Sequence, residues 1–364
     1  MKNLLLLAFG QKKMFKKIIP AILHFFLYVG FIIINIEVIE IVIDGLFGTH
    51  RIFSELGMPY YNIFISIIEF FVITVLISCV ILLVRRNLLT INRFKSRELK
   101  GWPTLDANLI LIFEIILMLA VITLNTTDLV LQDAKEYPIT GEFFFSTNFK
   151  SLFDSFSLST ILLVERISWW VHIIGILFFA LYITYSKHLH IFLAFPNTYY
   201  TDASPLGKMK NMESITNEIK IMRGEKPDNN PTNSITFGAK DIEDLSWKNL
   251  LDAYSCSECG RCTSVCPPNI TGKKLSPRKI MMDVRDRAEE VGKRKVKKLG
   301  DDNKNLVGDY ISKEEILACT SCNACVEECP ISINPLDIII EIRRFYALEA
   351  SQLPQEWKIG RAHV

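Results

Sequence analysis

Apolar residues crowd the first 196 positions in four long blocks. The blocks at about 18–43, 60–84, 106–130 and 167–193 each exceed the roughly 20 apolar residues a helix needs to cross a bilayer. They predict four transmembrane helices, and residues 152–164 leave room for an extra interfacial one. After Pro196 the pattern changes. Residues 196–240 are rich in Asn, Ser, Thr, Pro and Lys and read as a linker. In DIEDLSWKNLLDAY, Ile242, Leu245, Leu250, Leu251 and Tyr254 recur at helical spacing. Helices are also expected over 276–298 and 312–318, and the stretch NPLDIIIEIRRFYALEA closes the domain as an amphipathic helix. The charges from Arg285 to Lys298 read as a solvated face. The expected fold is all-α: a four-helix membrane bundle within 18–195, then a small helical domain over 241–350.

Charge orients the bundle. The connection 85–105 carries Arg85, Arg86, Arg93, Lys95, Arg97 and Lys100, whereas 44–59 carries only Arg51. By the positive-inside rule the 85–105 loop faces the cytoplasm. So does the N-terminal segment 1–17, with Lys12, Lys13, Lys16 and Lys17. Its apolar run from Leu4 to Phe9 is too short for a secretory signal, and Met14 is a second candidate start. Four spans return the chain to the cytoplasm, which puts the C-terminal domain inside the cell membrane. Composition agrees, at 50% hydrophobic with mean hydropathy +0.26, and a net charge of +2 gives no reason to invoke nucleic acid.

Eight of the nine cysteines fall in two matching runs. Cys256 to Pro267 reads CSECGRCTSVCP, and Cys319 to Pro330 reads CTSCNACVEECP. This C-x-x-C-x-x-C-x-x-x-C-P spacing is a bacterial pattern for [4Fe–4S] ligation, in which the fourth cysteine serves the other cluster. It assigns one cluster to Cys256, Cys259, Cys262 and Cys329, and a second to Cys319, Cys322, Cys325 and Cys266. Small or polar residues (Ser257, Gly260, Ser321, Ala324) let the backbone curl between ligands. Zinc usually takes paired C-x-x-C or mixed Cys/His sets, and disulfides need an oxidising compartment. Cys79, alone in an apolar span, reads as a small buried residue.

Histidine is uncommon in spans and marks function there. His172 and His190 are eighteen residues apart, five whole turns of one helix and about 27 Å along its axis. One face of a continuous last span would then hold two stacked b-type haems. His24 lies at the depth of His190, and His50 at that of His172, so the expected axial pairs are His24 with His190 and His50 with His172. The alternative is that these histidines cap helices or bond between them. His188 points elsewhere on the helix, and neither it nor His363 is assigned a role. Glu37, Glu40 and Asp44 form one stripe on the first span, with Glu69 and Glu114 also mid-span. These acids either exchange protons with quinone or pair inside the bundle.

The stretch WVHIIGILFFALYITYSKHLHIFLAFP resembles the last haem-binding helix of respiratory nitrate reductase gamma subunits. It is also similar to the membrane subunits of heterodisulfide-reductase-type complexes. That resemblance implies haem ligation by His172 and His190, with the opposite ligands on an earlier helix. His24 and His50 are spaced more widely than that family's pair. The cysteine domain resembles the helical two-cluster ferredoxin module of heterodisulfide reductase and succinate dehydrogenase iron–sulfur subunits, and all eight cysteines match. Together these resemblances imply a transmembrane haem-binding bundle followed by a two-cluster ferredoxin domain. Catalytic chains of the heterodisulfide-reductase kind continue into CCG repeats, which this sequence does not contain. The ending KIGRAHV from Lys358 reads like a translated sequencing adapter, so 351–364 is expected to be a partly artefactual tail of a truncated chain.

No nucleophile–base pair, phosphate loop or nucleotide fingerprint is present. The expected role is electron transfer between the quinone pool and a cytoplasmic redox partner, through two haems b and two [4Fe–4S] clusters. Substrate chemistry then belongs to a partner, by analogy a CCG-type protein. The alternative is a haem-free, membrane-anchored ferredoxin that docks a catalytic subunit.

Overall fold

The computed structural model describes residues 1–202, 204–227 and 237–352. The tail from Lys358 therefore lies outside the described residues, as does His363. The chain divides into two compact units, Met14–His188 and a second made of Met1–Lys13 with Leu189–Val364.

In the first unit four helices are long and apolar enough to cross a membrane: α1 (Ile18–Phe47), α2 (Met58–Asn87), α3 (Trp102–Asp133) and α4 (Leu158–Ile183). Each packs on its neighbour in sequence. Local chemistry sets their ends. Gly48 takes a left-handed φ of 70° and its N–H donates to Asp44 O, which stops α1. Prolines sit in the first turns of α2 and α3, where a missing N–H costs nothing. Ser157 caps α4 by accepting from the Thr160 N–H. Ile34, Ile68, Val72, Val75, Leu117, Met118 and Val121 fill the centre, with Cys79 buried among them. Gly30 allows α1 to approach α2, since a Cβ there would lie 2.4 Å from the Val75 side chain. The outer faces expose Ile32, Ile39, Ile63, Ile67, Leu119 and Leu177, which suits contact with lipid.

The last span departs from the expected 167–193. It starts earlier, at Leu158, absorbing the segment with room for an interfacial helix, and it stops at Ile183. Asp106 of α3 supplies the reason. Its carboxylate accepts from the hydroxyls of Tyr182 and Ser186 and from the Lys187 backbone N–H at 3.2 Å. Those bonds satisfy polar groups that an unbroken helix would otherwise have to pair. A new helix, α5 (His190–Tyr199), begins in the other unit. His172 and His190 therefore do not share one face of one helix.

The second unit continues through α6 (Glu213–Met222), α7 (Trp247–Tyr254), α8 (Arg261–Ser264), α9 (Pro267–Ile270), α10 (Pro277–Val296), α11 (Lys313–Ala318), α12 (Ala324–Glu328) and α13 (Pro335–Arg344). No strand occurs among the described residues. Reciprocal side-chain caps fix two starts: Ser246 with Asn249 on α7, and Ser312 with Glu315 on α11. Ile280, Met281 and Val284 of α10 meet Ile316, Ile338 and Ile342 in the core. Two expectations change here. The 196–240 stretch holds α6, and its end is tied down where Ala239 N–H donates to Glu341 O. Gly238, at φ 80°, lies where a Cβ would be 2.3 Å from the Phe345 nitrogen. The charged face of α10 is also not wholly solvated. Arg287 is only 3% exposed and is held by Asp241 at 2.8 Å and Asp302 at 2.7 Å. Hydrogen bonds from Arg287 hold the Asp302 carboxyl down at about 2.

The N-terminal segment is part of this unit. Phe9 meets Phe195 of α5 with ring centroids 5.1 Å apart. The Lys13 ammonium donates to Val326 O at 3.3 Å and Ser332 Oγ at 3.1 Å, and Arg261 Nη1 donates back to Lys13 O.

Candidate functional site

The two cysteine runs repeat one backbone pattern. Glu258 and Gly260 take left-handed φ values of 57° and 71°, and Ser321 and Asn323, at the same places in the second run, take 55° and 59°. Each run thus bends tightly at two places between its first and third cysteine. Glycine and asparagine tolerate this conformation. Glu258 and Ser321 are the costlier positions, and the Glu258 carboxylate is held by Arg285 at 2.7 Å. After the fourth cysteine, at Cys266 and again at Cys329, the backbone is extended and a proline leads the chain away.

All nine cysteines are free thiols. Electrostatic reach sorts the eight into two sets. Cys262 senses Cys256, Cys259 and Cys329, and Cys329 senses Cys259 and Cys256. Cys266 senses Cys319 and Cys322, and Cys325 senses Cys319, Cys266 and Cys322. One further link, Cys262 to Cys325, joins the sets. Each run's fourth cysteine thus lies with the other run's first three. Among the described residues no three His, Cys, Asp or Glu side chains converge as a single ion would need. Thiols grouped but held apart fit a bulky cluster better than one zinc.

Burial raises these thiols. It pushes Cys256 up to about 11, and Cys325 and Cys329 up to about 12. Without metal they are neutral, so iron must displace protons to bind. Reconstitution of the iron-free chain with iron and sulfide is therefore expected to weaken steadily as pH falls from about 8 toward about 6. Development of the visible cluster absorbance measures it, and a pH-independent yield would contradict it.

The histidines separate by environment. His172 on α4 is 1% exposed, and neither ring nitrogen has a hydrogen-bond partner. A buried imidazole with both nitrogens idle is costly, and its chemistry fits a haem iron as a group that would engage one of them. His50 is already engaged: Nε2 lies 3.1 Å from Asp128 Oδ1, and its ring centroid is 4.4 Å from that of Tyr137. Only Nδ1 is left there for another ligand. His24 is half-buried on α1, and His190 half-buried at the start of α5, in different units. His188 packs on the Phe179 ring.

The acid stripe meets a partner from outside the helices, one that carries no signal in the sequence. Arg51, buried, lies 3.1 Å from Glu37 Oε1, 2.8 Å from Asp128 Oδ2 and 3.9 Å from Glu40 Oε2. It also donates to Asn125 Oδ1, and its guanidinium lies 5.0 Å from the Phe143 ring centroid. Glu40 accepts from Phe53 N–H at 2.9 Å and Tyr61 OH at 3.0 Å. Asp44 plays a separate role. Its carboxylate clasps the turn after α1 by accepting from the Arg51 and Ile52 N–H groups. Glu69 receives Ser146 Oγ and the Phe145 and Ser146 N–H groups.

Fold and thiol grouping define a class: an iron–sulfur electron-transfer protein attached to helices of membrane-spanning length. Comparison with known proteins agrees. Residues 255–333 match the family model described as a 4Fe-4S dicluster domain. The chain is 28% identical over 380 residues to a probable iron-sulfur-binding oxidoreductase, FadF, of Bacillus subtilis, covering 96% of this chain and 50% of that one. It is 28% identical over 388 residues to the EtfAB:quinone oxidoreductase of Syntrophomonas wolfei, covering 96% and 49%. Over 106 residues it is 34% identical to one component of the ferredoxin/F(420)H(2)-dependent CoB-CoM heterodisulfide reductase of Methanosarcina acetivorans, covering 29% and 53%. The chain thus spans about half the length of the curated relatives it matches. No solved structure matches.

Proposed function

We propose that this chain carries electrons between membrane quinone and a cytoplasmic redox partner. The observation behind this reading is the interleaved grouping of eight thiols in a chain with four membrane-length helices. Cys256, Cys259, Cys262 and Cys329 would hold one [4Fe–4S] cluster, and Cys319, Cys322, Cys325 and Cys266 the other. Bound there, such clusters supply one-electron transfer at potentials that burial and hydrogen bonding adjust. The chain's own part is to hold the thiols apart: α10 and α13 supply an apolar wall on one side, and the Arg261–Lys13 strap places two cations beside the runs.

His172 is the residue that would hold haem b, with His24, His190 and His50 as the further candidate ligands. His50 would offer Nδ1, with its Nε2 kept on Asp128. Packing of Met1–Lys13 within the C-terminal unit supports the cytoplasmic placement. One segment precedes α1 and the other follows α4, so meeting on one side requires an even number of crossings. Basic residues in 85–105 assign that side to the cytoplasm. The relative named for quinone and EtfAB makes a protein of the EtfAB kind one candidate partner, beside a CCG-type protein.

Reduced-minus-oxidised spectra of the purified full chain, with iron, sulfide and haem per chain, test this reading. A b-type band that His172→Ala diminishes is the expected result. A chain with its iron and sulfide but no b-type band would support the second reading, a haem-free membrane-anchored ferredoxin.

A further inference from the structure

One buried guanidinium faces three buried carboxylates in the first unit. Charges in so dry a place are tolerated only when paired. The groups facing Glu37 and Glu40 can be named element by element. α1 contributes the two acids themselves, and the following turn contributes Arg51. α2 contributes Tyr61, a neutral hydroxyl donating to Glu40. α3 contributes Asp128 and Asn125, with His50 bonded to Asp128. Asp128 is the best satisfied of the three carboxylates, with Arg51, His50 and Gln132 all in contact. Glu40 receives two hydrogen bonds. Glu37 receives Arg51 on Oε1 alone, while its Oε2 is buried without any partner. The arrangement cannot carry three full negative charges against one positive.

We infer that Glu37 and Glu40 share one exchangeable proton beside Arg51. The proton belongs to the pair as a whole. It moves without any bond to carbon or iron changing: a carboxylic O–H breaks on one acid as another forms on its neighbour. Neither haem nor quinone is needed for the store to exist, so its test stands apart from theirs.

Infrared spectroscopy of the full chain in lipid nanodiscs reads it directly. At neutral pH the protein should show a protonated-carboxyl C=O band that shifts in D₂O and fades as the pH is raised. Glu37→Gln and Glu40→Gln, singly and together, should diminish and then remove that band. Its absence from the native protein, or its persistence in the double variant, would overturn the store. The native pH titration decides the question even where a variant does not fold.

Discussion

Cys329→Ser is expected to erase the same cluster signal as Cys256→Ser, although the two residues sit in different runs. Cys266→Ser should instead erase the signal lost in Cys319→Ser. The reason is geometric. Cys329 lies within reach of Cys256 and Cys259, and Cys266 within reach of Cys319 and Cys322. Serine offers no thiolate, and cubane clusters of this kind are held by four. Each substitution should therefore halve the iron per chain and delete one of two electron paramagnetic resonance signals in the reduced protein. The outcome that sinks the interleaved assignment is equally clear: Cys329→Ser behaving like Cys319→Ser, with both clusters built from single runs. Loss of both signals in every variant would instead show that neither cluster assembles without the other.

How much of this is legible in the sequence depends on the range of the forces involved. Cysteine spacing is a local demand of the cluster, so both runs can be read directly. Spans are legible because a bilayer requires long apolar blocks wherever it is crossed. α10 and α11 fall close to the expected bounds because Ser276 and Ser312 announce their starts. What escapes the sequence is non-local. The break after Ile183 is stabilised by Asp106, which belongs to a different helix and reads as one more polar residue near a span end. Arg51 reads as a lone charge in a loop, because its partners come from α1 and α3. Small residues account for only part of the curl in each run, since Glu258 takes a left-handed conformation too, held by Arg285 from α10. An acid at that place carries no local signal of a turn. His172 and His190 illustrate the hazard most sharply: a five-turn spacing means one face only if the helix stays unbroken between them.

Arg51→Met should be the most destabilising single change in the first unit. Its methionine would fill much of the same space, so the loss is one of charge and hydrogen bonds rather than volume. Asp128 and Glu37 would each lose a short ion pair, and Asn125 Oδ1 would lose its donor, all away from solvent. Leaving buried charges without their partner typically costs about 3–5 kcal/mol, enough to threaten a domain of ordinary stability. Arg51→Lys should recover only part of this. An ammonium keeps the charge but has no planar fork to reach Asp128, Glu37 and Asn125 together. Two further outcomes separate charge from packing. Adding Glu37→Gln to Arg51→Met should restore some stability, because one unpaired carboxylate is gone. Lower pH should also help Arg51→Met more than the native chain, since protonation discharges the abandoned acids. Thermal unfolding of the detergent-solubilised full chain, followed by circular dichroism at two pH values, reads all four. If Arg51→Met unfolds at the native temperature, the guanidinium is not what makes a cluster of acids tolerable inside these helices, and the proton store proposed beside it loses its anchor.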